Sequence, residues 1–118
     1  MTQQNLFDFV NETPPHILTV TEITHSIRDI LEGKFCDVWV CGEVSNWRPN
    51  ESSGHWYFSL KDSGAQLSAV MFRGANAAVK FKIQQGMELI CHGRVSVYPP
   101  RGSYQLNGLG SNLGDSLD

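Results

Sequence analysis

No run of apolar residues in this 118-residue chain approaches the ~20 that a membrane-crossing helix requires, and no apolar stretch near the start reads as a secretion signal. The expectation is a cytoplasmic protein that makes no membrane contact. Cysteine is sparse. Cys36, Cys41 and Cys91 are an odd number with no C-x-x-C spacing, which disfavours a zinc ribbon or a redox pair and suggests reduced, structural thiols. One disulfide with a thiol left over is the alternative. A large excess of charge is missing too: the formal net charge is −3, so the chain as a whole is not a strongly basic nucleic-acid binder. Catalytic patterns are equally scarce. Glu43, Glu51 and Asp62 share no recognisable spacing, and His16, His25, His55 and His92 are scattered. The sequence has no H-x-x-x-H pair, no nucleophile elbow and no glycine-rich phosphate loop ahead of a helix. His55 and His92 read first as surface or hydrogen-bonded histidines rather than as ligands or bases. No catalytic residue, metal or other cofactor is expected in this chain.

Glycine is plentiful, with eleven residues, and at 41% hydrophobic against 18% charged the chain can bury one core. Its length suggests one domain. The charge is unevenly spread. Residues 1–45 carry seven acids and two bases, whereas residues 46–106 carry seven bases (Arg48, Lys61, Arg73, Lys80, Lys82, Arg94, Arg101) and three acids. A locally positive surface on an acidic protein suffices for phosphate contact. The same bases also fit an ordinary solvated surface.

The stretch Gly54 to Gly74, GHWYFSLKDSGAQLSAVMFRG, organises the rest. Trp56, Phe58 and Leu60 alternate with His55, Tyr57, Ser59 and Lys61, the period of a half-buried strand. Asp62-Ser63-Gly64 makes a turn. A second strand over 66–73 puts Leu67, Ala69 and Met71 on one face and Ser68, Val70 and Phe72 on the other. Phe72 beside Arg73 is then an outward aromatic next to a cation, suited to stacking on a base while pairing its phosphate. It could instead cap the open end of a small barrel, and the residues alone do not decide.

Residues 1–16 read as a loose arm ending in Pro14-Pro15. Thr19-Val20-Thr21-Glu22 fits a capping box, and Val20, Ile23, Ile27, Ile30 and Leu31 form one apolar helix face before Gly33. That face is expected to pack on the barrel or on a neighbouring domain. Asp37 to Asn46 reads as a strand with Val38, Val40 and Val44 inward. Trp47 to Gly54 reads as a polar loop in which Trp47 either packs over a barrel end or stacks on a base. A short helix or irregular crossover is expected over 75–86. A strand from Met87 follows, with Leu89, Cys91, Val95 and Val97 on one face. Pro99-Pro100-Arg101-Gly102 makes a hairpin turn, and a fifth strand begins at Ser103. Residues 107–118 read as a frayed or truncated tail, so a last strand ending at Leu106 would leave an exposed edge.

Helix, three strands, a short helix and two strands is the element order of a five-stranded OB-fold, a mainly β Greek-key barrel that binds oligonucleotides over strands 2 and 3 and the adjoining loops. The domain would span residues 17–106. The candidates on those parts are Trp47, Arg48, His55, Tyr57, Lys61, Phe72, Arg73 and Arg101. Five strands alone would also suit an SH3-like barrel; the inserted helix favours the OB-fold.

The segments LTVTEITHSIRDILEG, VWVCGEVSNW, SGHWYFSLKD, AVMFRG and GRVSVYPPRGSYQL, in this order over residues 17–106, resemble the start of the bacterial exodeoxyribonuclease VII large subunit. The resemblance implies an OB-fold that binds single-stranded DNA, with Phe72 and Arg73 of the MFRG segment as its best positions. It also implies a large subunit assembled with several copies of a small helical subunit, and an enzyme that cleaves single-stranded DNA from either end to release oligonucleotides. The family's large subunit is several times longer, with a catalytic domain and a long helical region after the OB-fold. This chain stops before both, so no catalytic residue is carried over. A protein-interaction or subunit-docking module without nucleic-acid affinity is the competing expectation.

Overall fold

The computed structural model describes residues 14–109 and the backbone of residues 114–115. The arm expected over 1–16 and the tail expected over 107–118 therefore lie largely outside the described residues. Helix α1 runs Val20–Lys34. The Thr19 hydroxyl accepts the N–H of Glu22 at 3.0 Å and the Glu22 carboxylate accepts the N–H of Thr19 at 2.8 Å. Such a reciprocal cap satisfies two of the orphan donors at a helix start and typically contributes ~1 kcal/mol. Of the two surfaces expected to cover the apolar stripe, the barrel does not take most of it. Val20, Ile23, Ile27 and Ile30 stay exposed, and no residue of α1 is buried. The helix is tied to the barrel near its C-terminal end: the Ser96 hydroxyl donates to the Glu32 carboxylate, and the Phe35 carbonyl accepts the N–H of Val95 at 3.0 Å. Attachment at one end leaves these four side chains off the barrel, while Leu31, beside Glu32, is half-buried. Among the described residues no helix is long and apolar enough to cross a membrane.

Five strands follow: β1 (Val38–Pro49), β2 (Trp56–Lys61), β3 (Gln66–Met71), β4 (Glu88–Tyr98) and β5 (Ser103–Gly108), with helix α2 (Arg73–Asn76) between β3 and β4. A two-residue strand β6 (Gly114–Asp115) adds to β4. The sheet runs β1-β2-β3-β5-β4, and β4 returns to pair with β1. This is the closed Greek-key order of an OB-fold. Closure depends on a short parallel contact between β3 and β5, Ala69 opposite Leu106 and Val70 opposite Asn107. The exposed last edge expected from the sequence is thus not formed. β5 continues through Asn107 and Gly108 because Arg94 and Gly93 of β4 pair with them. Strand pairing overrides weak local propensity there.

The alternation in the sequence marks most of the core, although Val70, read as outward, is buried as well. Val44, Phe58, Leu60, Ala69, Met71, Leu89, Cys91 and Leu106 are buried together, with Ile83 added from the crossover. Two boundaries move. β1 extends through Trp47, Arg48 and Pro49, which the sequence reading places in a loop. β3 stops at Met71, so Phe72 and Arg73 lie off the strand: Phe72 is the cap residue and Arg73 the first residue of α2. The helix therefore starts earlier, and is shorter, than an element over 75–86.

All three cysteines are free thiols; Cys36 and Cys41 are exposed and Cys91 is buried. Burial pushes the Cys91 thiol up to about 12, which keeps it protonated and unreactive at neutral pH. A thiol-reactive dye is expected to label two cysteines in the native protein and the third only after unfolding. Three fast-reacting thiols would mean that the barrel wall opens at β4.

Candidate nucleic-acid interface

Two local features of β1 and its loop set up the outer face of β2 and β3. The first is a bulge. The pairing of β1 with β2 shifts register between Ser45 and Arg48, and Asn46 has a φ of +53°. Asn tolerates this left-handed conformation better than most residues. One extra residue reverses the alternation. Trp47 consequently packs against the core, 5.5 Å from Trp56 and 5.7 Å from Phe58 between ring centroids. Arg48 is exposed on the opposite side.

The second feature is the tight loop from Asn50 to His55. The Asn50 carbonyl accepts the N–H of Gly54 at 2.7 Å and the His55 carbonyl accepts the N–H of Asn50 at 2.8 Å. Gly54 has a φ of +79°, and a Cβ there would lie 2.7 Å from Cδ of Arg73. Only glycine lets the aliphatic part of Arg73 lie over the loop. The side-chain amide of Asn76 donates to the Gly54 carbonyl, and His55 Nδ1 accepts the N–H of Arg73 at 3.0 Å. The β1–β2 loop and the start of α2 are thereby joined.

On this frame sits a cluster of rings. His55 meets Phe72 edge-on at 5.2 Å and Tyr57 at 6.4 Å. Phe72 keeps 44% of its surface exposed. From Tyr57 a groove of about 220 Å³ continues across β3 toward the β4–β5 turn, lined also by Arg48, Ser68, Tyr98, Arg101 and Gln105. Arg101 is held over the Tyr98 ring, 6.0 Å from its centroid, a cation–π arrangement. Among the described residues none of Arg48, Arg73 and Arg101 is engaged in an ion pair, so all three guanidiniums are available to anions. No three His, Cys, Asp or Glu side chains among those residues gather where they could share a metal ion.

The family model described as OB-fold nucleic acid binding domain matches residues 18–109. This chain belongs to that family. Its OB-fold domain is 56% identical over 90 residues to the exodeoxyribonuclease 7 large subunit of Geotalea uraniireducens, covering 76% of this chain and 20% of that protein. It is 48% identical over 102 residues to the large subunit of Histophilus somni, covering 86% of this chain and 22% of that one. The resemblance read from the GHWYFSLKD and MFRG segments is borne out. The chain spans about a fifth of the length of these curated relatives. Among solved structures, a replication protein A heterotrimer bound to single-stranded DNA matches with a TM-score of 0.53 at 12% identity, over 70% of this chain and 58% of that one. A likeness at that identity speaks for the fold.

Of the residues singled out in the sequence, the OB-fold gathers His55, Tyr57, Phe72 and Arg73 at one end of the face, and Arg48 and Arg101 along the groove. Lys61 is elsewhere. It lies at the far end of β2 beside Asp62, Cys41 and Glu88 around a different depression. Trp47 lies on the core side of β1. Tyr98, Ser68 and Gln105 are groove residues that the sequence reading did not select. Tyr98 carried a usable signal, since it is the outward residue just ahead of the Arg101 turn. Gln105 carried none, because its place depends on the parallel pairing of β5 with β3.

Proposed function

We propose that this chain is a single-stranded DNA-binding module, acting within a large subunit of the exodeoxyribonuclease VII kind whose whole form degrades single strands from both ends to oligonucleotides. The observation that supports it best is the convergence of rings and unpaired guanidiniums on one OB-fold face: Phe72 and Arg73 at one end, Tyr57 between, Arg48 and Arg101 along the groove. Bases have π faces whatever their sequence, so ring stacking tolerates any sequence and contributes ~1–3 kcal/mol per base. Guanidiniums hold the intervening phosphates. In this role the domain feeds a strand toward a catalytic region carried on other parts of the longer subunit, and a small helical subunit completes the assembly.

Three phosphates held by Arg48, Arg73 and Arg101 give an expected salt slope of about −2, at ~0.7 per phosphate for a single strand. Fluorescence anisotropy with labelled oligo-dT is then expected to show roughly 20-fold weaker binding at 200 mM salt than at 50 mM. A duplex of equal length is expected to bind less tightly at both. Binding that ignores salt, or that prefers the duplex, would overturn this function.

The exposed stripe of Val20, Ile23, Ile27 and Ile30 on α1 favours a second reading, a docking module without DNA affinity. It predicts no anisotropy change at low salt and self-association or partner capture that is lost when Ile27 and Ile30 become polar.

A further inference from the structure

The sequence reading makes His55 a DNA contact, but its surroundings assign it a different task. The first N–H groups of a helix have no partner within the helix. At α2 the cap position is Phe72, which makes no side-chain hydrogen bond to the helix. The missing acceptor arrives from the β1–β2 loop: His55 Nδ1 takes the N–H of Arg73 at 3.0 Å, across eighteen residues of sequence. The same imidazole meets the Phe72 ring at 5.2 Å with the planes 88° apart. The ring is itself anchored through its backbone, since the N–H of His55 donates to Ser53 Oγ at 3.1 Å and its carbonyl accepts from Asn50. One half-buried side chain thus touches both the ring of Phe72 and the backbone that carries the Arg73 guanidinium.

We propose that His55 is a positioning residue for single-strand binding: it caps α2 from the adjoining β1–β2 loop and holds Phe72 and Arg73 in the orientation in which ring and guanidinium meet the strand, without stacking on a base itself. This rests on the single-strand reading above. Accepting at Nδ1 places the ring proton on Nε2. A replacement that keeps an acceptor at the Nδ1 position therefore keeps the cap. The side-chain oxygen of asparagine lies as many bonds from Cα as Nδ1 does, whereas that of glutamine lies one bond further out.

The test is oligo-dT anisotropy on the 118-residue chain carrying His55→Ala, His55→Asn or His55→Gln, with thermal melts on each. The alanine and glutamine variants are expected to bind ~10-fold more weakly and the asparagine variant to stay within ~3-fold of the parent. In a background already carrying Phe72→Ala and Arg73→Ala, where nothing remains to be positioned, His55→Ala is expected to change affinity by less than ~2-fold. An asparagine variant as weak as the alanine one, or a ~10-fold loss that persists in that background, would overturn the proposal, because the ring would then be touching the strand directly. If His55→Ala melts below the assay temperature, the contrast between asparagine and glutamine decides. A parent chain that binds no oligo-dT would remove the single-strand reading and this role together; a parent that binds with no response to His55→Ala would remove this role alone.

Discussion

Gly93→Ala is expected to cost the domain about 3 kcal/mol, toward the upper end of what overpacking a core position produces. Gly93 is where β4 changes partners. It sits opposite Val38 of β1 on one side and Gly108 of β5 on the other, at a corner of the barrel. A Cβ there would lie 2.4 Å from the Asn107 carbonyl oxygen and 3.0 Å from its carbon. The obstacle is backbone in a paired strand, so no side-chain rotation relieves it. The loss corresponds to a melting temperature lower by roughly 10–20 °C for a domain of this size. Gly33→Ala is the control. A Cβ at Gly33 meets nothing within 4 Å, and alanine is the better helix former by ~1 kcal/mol, so that variant is expected to melt higher. A Gly93→Ala domain that melts within a few degrees of the parent would show that β4 and β5 are not packed so closely.

The other large effect is on binding. Phe72→Ala and Arg73→Ala are each expected to weaken oligo-dT binding ~10-fold, the scale of one lost stack or one lost phosphate contact, and together roughly 100-fold if they act independently. The two losses differ in kind. Removing Arg73 releases one phosphate and should flatten the salt slope by ~0.7, while removing Phe72 should leave the slope unchanged. Both side chains are exposed, and neither belongs to the buried core. Little loss of stability is therefore expected, and melting curves check that. Folded variants with parental affinity would take both residues out of the contact surface. A Phe72 variant that flattens the salt slope would mean that the ring's real part is to place the guanidinium.

Much of the fold was legible in the residues. Alternation at Trp56 to Lys61 and at Leu89 to Val97 reports strands whose apolar face lies in the core, and the Thr19–Glu22 pair reports a helix start, because each pattern is the direct imprint of a local geometry; the burial of Ser59 and Ser96 on the other face was not legible there. The candidate face was legible in outline. Tyr57, Arg48 and Arg101 meet along one groove, as the element order suggested. The misplacements have specific causes. Asn46 looks like an ordinary residue at the end of a strand, yet its left-handed backbone inserts the bulge that turns Trp47 into the core and Arg48 outward. Lys61 alternates with the outward residues of β2 but lies beyond the groove, since the reach of a groove along a strand is decided by the neighbouring turns.

By itself the sequence determined which residues alternate, where α1 begins, which apolar side chains make the core, and which family's segments the chain repeats. Those properties follow from local steric and hydrogen-bonding rules acting over a few residues. Tertiary structure alone decided that Phe72 caps a helix instead of ending a strand, that His55 reaches Arg73, that β5 runs on to Gly108, and that most of the apolar stripe of α1 faces away from the barrel. The first two follow from the pairing of β2 with β3 and the third from the closing contacts of β5 with β3 and β4; such pairings bring together groups apart in the chain and satisfy backbone donors and acceptors that no local pattern can assign.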